Sequence, residues 1–185
     1  MMLSTVSFSI MLFIAGCFSQ LFILLASKYY FSERKFSQRF QFYCEMDQAR
    51  NKRYFSRILY RIGILSVPVA TLFCFALISE YYLVYIIQSL ICVVFCIGGI
   101  IISSDKNNTV HTIFSFISIC SMIGIYIIIF TEQKSILFMI PLIALLVLTL
   151  AILLSNKSND KKRRKTIQVI AQKLFFLLMV VSPIL

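Results

Sequence analysis

Long uncharged apolar runs alternate with short polar breaks along this chain, and the runs define its elements. Four of them, 3–27, 81–103, 110–130 and 135–155, contain no Lys, Arg, Asp or Glu. A helix needs about 20 apolar residues to cross the hydrocarbon of a bilayer, and each run supplies them. A fifth run, 62–79, is slightly shorter but within range. The sixth, 167–185, carries Lys173 and leaves only 174–185 unbroken. It spans only if the Lys173 ammonium snorkels back to the headgroups. The pattern therefore predicts an all-α fold: one polytopic membrane helix bundle over 1–185 with six transmembrane helices. The alternative is five helices plus a re-entrant C-terminal segment.

Composition removes the water-soluble alternatives. With 60% hydrophobic and 14% charged residues and a mean hydropathy of +0.92, the chain is far from the usual quarter-charged soluble domain. Six spans leave no room in 185 residues for a separate soluble catalytic domain, so function is expected in the helices or their basic connections.

Charge placement adds an orientation. Of the 18 Lys and Arg residues, sixteen fall in 28–61 and 157–173. The first stretch holds nine basic and three acidic residues, the second seven and one. Lys and Arg loops resist translocation and are attracted to anionic lipid, so both stretches belong on the cytoplasmic face, as loops 28–61 and 156–166. The opposite connections carry only Glu80 in one, and Glu132 with Lys134 in the other. The expected topology is N-terminus outside, with the C-terminus outside if the sixth span forms. Met1–Ile10 has no basic residue, which suits export of the amino terminus and disfavours a Sec signal peptide. Richness in Ile, Phe, Lys, Asn and Ser points to an AT-rich genome and the compactness of the chain to a bacterium, so the expected location is a bacterial cytoplasmic (inner) membrane. The net charge of +11 would suggest nucleic acid in a soluble protein. Here the same charges set topology.

Candidate chemistry is sparse. Cys17, Cys74, Cys92, Cys96 and Cys120 lie in spans and Cys44 in the first basic loop, without CxxC or zinc-ligand spacing, so neither metal nor cofactor is expected. Ile14 to Cys17 match a lipobox, but no positive charge precedes them and the apolar run continues beyond. Gln88, Cys92, Cys96, Gly99 and Ser103 form a small or polar stripe on the third span, read either as a cavity wall or as a packing face. Ser115, Ser118, Ser121 and Gly124 form a similar stripe on the fourth. Pro68 and Pro141 interrupt the second and fifth spans and are expected to kink them. His111 and Asp105 form a polar pair at the membrane edge. No nucleophile elbow, Walker, Rossmann or HExxH pattern is present, and no charge within the first five spans supplies a proton relay. The chain is expected not to be an enzyme.

The first basic loop is the most distinctive segment. A helical reading from Ser32 sets Phe36, Phe40 and Tyr43 among Arg34, Lys35 and Arg39, as in an amphipathic helix lying on the membrane. Those three basic residues, with Lys161, Lys162, Arg163, Arg164 and Lys165, are the expected contacts to anionic headgroups. Membrane lipids are thus the first expected partner and a protein partner or second copy the next, ahead of nucleic acid. The functional expectation is an integral membrane accessory, immunity or assembly component working through helix packing and basic cytoplasmic loops. The alternative is a small transporter or lipid-handling protein with its site on the face of the third span.

Overall fold

A computed structural model describes residues 5–31, 35–37, 41–48, 51–77, 82–102, 106–132, 139–156 and 160–181. Six α-helices follow in order: α1 (Thr5–Tyr29), α2 (Tyr54–Leu77), α3 (Tyr82–Ile101), α4 (Asn108–Glu132), α5 (Met139–Asn156) and α6 (Lys161–Val181). A 3₁₀ turn at Tyr43–Asp47 lies between α1 and α2, and the described residues include no strand. The all-helical class expected from the apolar runs is the observed one. Among the described residues, three stretches are long and apolar enough to cross a membrane: Ile10–Tyr29, Tyr54–Phe73 and Asn108–Ile125. The apolar part of α3, Ile86–Ile101, is shorter.

Consecutive helices pair, α1 with α2, α3 with α4 and α5 with α6, while α2 meets α3 and α6 returns to α1. Each pair is antiparallel. Ala26 lies near Ser56 and Ser19 near Gly63, Gln88 near Ser121 and Gly99 near Ser115, and Ser155 near Gln168. Polarity is distributed inside out. Ser19, Ser56, Thr71, Ser89, Ser121 and Ser155 are buried between helices, whereas Phe73, Leu83, Val94, Phe116 and Leu146 point outward. Small and hydroxyl side chains let helix backbones approach, and the apolar exterior suits hydrocarbon rather than water.

Two boundaries differ from the apolar-run expectation. Helix α2 starts at Tyr54, eight residues before 62, and α6 at Lys161, six before 167. The basic residues that end an apolar run do not end the helix. Asp160 caps α6: its carboxylate accepts from Lys162 N at 2.9 Å and its carbonyl from Arg164 N at 2.9 Å. Asn107 caps α4 in the same way, accepting from Val110 N at 3.1 Å.

Pro68 sits inside α2 and removes the donor that the Ile64 carbonyl would have used. The Cys96 thiol of α3 supplies a weak replacement, with Sγ 3.9 Å from Ile64 O. Pro141 lies near the start of α5.

Candidate functional site

The polar stripe of α3 is taken up by α4. Residues 88, 92, 96 and 99 recur at four- and three-residue spacing and so share one helix face. Gln88 Nε2 donates to Ser121 O at 3.3 Å and fills the space left by Gly124, where a Cβ would stand 2.6 Å from Nε2. Ser118 Oγ donates to Cys92 O at 3.1 Å, and Cys92 Sγ lies 3.5 Å from Ser118 O. At Gly99 an added Cβ would stand 3.4 Å from Ser115 Oγ. Cys92, Cys96 and Gly99 are buried, the last two facing α2 and α4 respectively. Ser103 lies outside the described residues, as does Asp105.

His111 Nδ1 stands 2.8 Å from Gly99 O and 3.0 Å from Ile102 O. Carbonyl oxygens only accept, so Nδ1 carries the hydrogen and donates to Gly99 O in the last turn of α3 and to Ile102 O just beyond it. The residue closes a helix end. Among the described residues no three His, Cys, Asp or Glu side chains gather in a way that could hold a metal ion.

The second assembly is built from the two basic stretches, which meet at one end of the bundle. The described parts of the first loop do not form the amphipathic surface helix that its aromatic spacing suggested. Residues 35–37 and 41–42 are non-helical, and the 3₁₀ turn that follows packs inward. Tyr43 and Met46 join Ile23, Ala26, Leu59 and Tyr60 in a buried cluster, because the loop folds over the ends of α1 and α2. Burial pushes the Tyr43 phenol above its ordinary value.

Its acids are what hold the loop down. Asp47, buried, takes Arg61 of α2 at 2.8 Å through Nε, with a second contact at 3.4 Å through Nη2. Glu45, buried, takes Lys165 of α6 at 2.8 Å and also accepts from Phe42 N at 3.2 Å. The Gln172 side chain accepts from Tyr43 N at 3.4 Å. The Lys173 ammonium lies 5.4 Å from the Phe36 ring centre and 5.0 Å from that of Tyr43, within cation–π range. The charge that interrupts the last apolar run thus lies at the loop end of the bundle.

Asn51 ties the loop to both helices. Fully buried, it donates to Met46 O at 2.7 Å and to Ser56 Oγ at 3.0 Å, and its Oδ1 accepts from Phe31 N and Arg53 N, both at 3.3 Å. Ser56 Oγ in turn donates to Ala26 O at 2.7 Å.

Of the expected headgroup contacts, Lys35, Lys161, Lys162 and Arg163 are exposed and Arg164 is half-buried, while Lys165 is engaged with Glu45. Arg34 and Arg39 lie outside the described residues. Sequence reasoning missed Asn51, Glu45 and Asp47. The available signal was the acids themselves, two carboxylates placed within a strongly basic loop. No known protein family, curated protein or solved structure matches the chain.

Proposed function

We propose that this chain is a six-span integral protein of the bacterial cytoplasmic membrane, with its N-terminus outside, acting as a non-enzymatic accessory, immunity or assembly component. Its working surface is the basic end formed by the first loop and the start of α6. The observation that carries the reading is the clasp between the two basic stretches, in which Glu45 of the loop holds Lys165 of α6. Two charged segments so joined occupy the same side of a bilayer, where positive-inside topology assigns them to the cytoplasm.

Energetics support a role for the exposed charges. Lys161, Lys162 and Arg163 stand in the first turn of α6, at the positive end of its dipole, where cations are disfavoured by about 0.3–1 kcal/mol each. Anionic headgroups offset that cost. The transport alternative requires Gln88 to line a cavity, whereas its amide is held by Ser121 and packed over Gly124. Those contacts support a helix-packing role for the α3 face.

Single-cysteine accessibility tests the topology in a background lacking the native cysteines. Probes at Lys35 and Lys162 are expected to label only from the cytoplasmic side, and one at Glu132 only from outside. Labelling of Lys35 and Lys162 from opposite sides would overturn the reading. Gln88→Leu addresses the α3 face. Reduced stability is expected of a packing residue, whereas unchanged stability would return that face to the transport alternative.

A further inference from the structure

The outer face of the α1–α2 seam carries an open apolar groove of about 370 Å³, lined by Met11, Ile14, Phe18, Phe22, Ser66 and Ala70. Helical spacing continues both walls toward the loop end. Phe18, Phe22 and Tyr29 follow at four and seven residues on α1, and Phe55, Ile62, Ser66 and Ala70 at seven, four and four on α2. Tyr29 and Phe55 meet edge to face with ring centres 5.3 Å apart, and are still 39% and 56% exposed. These two rings stand about two helical turns beyond the Phe22 end of the groove, and the amphipathic Tyr29 favours the membrane–water interface.

A basic rim adjoins them. Lys52 N donates to Phe31 O at 2.9 Å, and the Arg53 guanidinium lies 5.4 Å from the Phe31 ring centre. Buried Asn51 fixes this backbone by accepting from both Phe31 N and Arg53 N. Lys28, Lys52 and Arg53 are exposed, and among the described residues none of the three is in an ion pair. Glu45 and Asp47, the described acids of the same loop, are buried and engaged by Lys165 and Arg61. The rim thus presents positive charge on an ordered backbone, next to an apolar groove. From Phe22 to Tyr29 the helix rises about 10 Å, within the length of one lipid.

We propose that the α1–α2 seam binds one anionic phospholipid of the surrounding bilayer, with its headgroup phosphate on Arg53, Lys52 and Lys28 and an acyl chain in the groove below Tyr29 and Phe55. A zwitterionic lipid brings a cationic amine against the same three charges and fits less well. The site rests on the membrane embedding proposed above, but not on the number of spans or on the role of the α6 cluster.

Native mass spectrometry of the full-length chain in detergent, titrated with phosphatidylglycerol or phosphatidylcholine, tests it. The wild type is expected to retain one phosphatidylglycerol in preference to phosphatidylcholine. Removing two charges with Lys52→Gln and Arg53→Gln reduces that preference about thirtyfold, while phosphatidylcholine binding is kept. Ala70→Leu, which fills the groove, weakens both lipids together, and Lys106→Gln, at an exposed lysine outside both basic stretches, leaves the preference unchanged. Equal retention of the two lipids by the wild type, or an unaltered preference in the Lys52/Arg53 variant, would overturn the proposal. So would a dimer that excludes lipid, which would assign the groove to a second copy. A wild type that retains neither lipid and stays dispersed without detergent would instead refute the membrane reading itself.

Discussion

Asn51→Ala is the most informative single perturbation, because one buried amide connects the end of α1, the 3₁₀ turn and the start of α2. Four hydrogen bonds are lost: to Met46 O at 2.7 Å, to Ser56 Oγ at 3.0 Å, and from Phe31 N and Arg53 N at 3.3 Å. Ser56 keeps its bond to Ala26 O, so three groups lose their partner rather than four. A buried polar group left unsatisfied costs about 1–3 kcal/mol. Taking about 2 for the short Met46 bond and about 1 for each of the long ones gives a loss of about 4 kcal/mol. That is a large share of the roughly 5–15 kcal/mol that holds a typical domain together. The assay is reversible unfolding of the detergent-solubilised chain by SDS titration, followed by far-UV circular dichroism. Lys52→Ala, at the exposed neighbouring position, serves as control and should stay within about 0.5 kcal/mol of wild type. Amide exchange supplies a local readout, since the Phe31 and Arg53 amides should exchange faster in Asn51→Ala. A stability change no larger than that of the control, with both amides still protected, would rule out Asn51 as the tie between the loop and the two helices.

Three further outcomes follow from the helix contacts, each measured by the same unfolding titration. The Glu45–Lys165 clasp should show a coupling of about 1 kcal/mol in a Glu45→Gln, Lys165→Met double-mutant cycle, because the lysine is 45% exposed and partly screened; additivity would remove the clasp. Cys96→Ala should cost about 1–2 kcal/mol alone and measurably less in a Pro68→Ala background, where Ile64 O regains a backbone donor; equal costs in both backgrounds would sink the compensation. Gly63→Ala should cost about 1–3 kcal/mol, since its Cβ would stand 3.0 Å from both Ile23 Cγ1 and the Ser19 carbonyl. Gly98→Ala, with 3.5 Å to Phe114, should be neutral, and similar costs at the two glycines would contradict the seam geometry.

Hydrophobic run length and charge placement are local properties, and they were legible without a structure. Runs of about twenty apolar residues form helices in a bilayer because each backbone group must be satisfied within its own segment. The all-helical class and the order of elements follow from that. Helix starts were less legible. A basic residue ends an apolar run but not a helix, so α2 and α6 begin earlier than hydropathy indicates, at Tyr54 and behind the Asp160 cap. The α3 stripe was visible as spacing, yet spacing alone is the same for a cavity wall and a packed seam. Its place against Ser118, Ser121 and Gly124 depends on which helix lies opposite.

The largest divergence lies in the first loop. Its aromatic spacing reads as a surface helix when the loop is considered alone. In the fold, Tyr43 and Met46 are drawn into an apolar cluster with α1 and α2, while Asp47 finds a cation on the next helix and Glu45 one on α6, far along the chain. The helical class, the apolar segments and the segregation of positive charge can be read along the chain, because each depends only on neighbouring residues. The partners of Asn51, Glu45, Gln88 and Cys96 were decided by tertiary structure alone, because a buried polar group takes its meaning from whichever donor or acceptor the packing brings within hydrogen-bond reach.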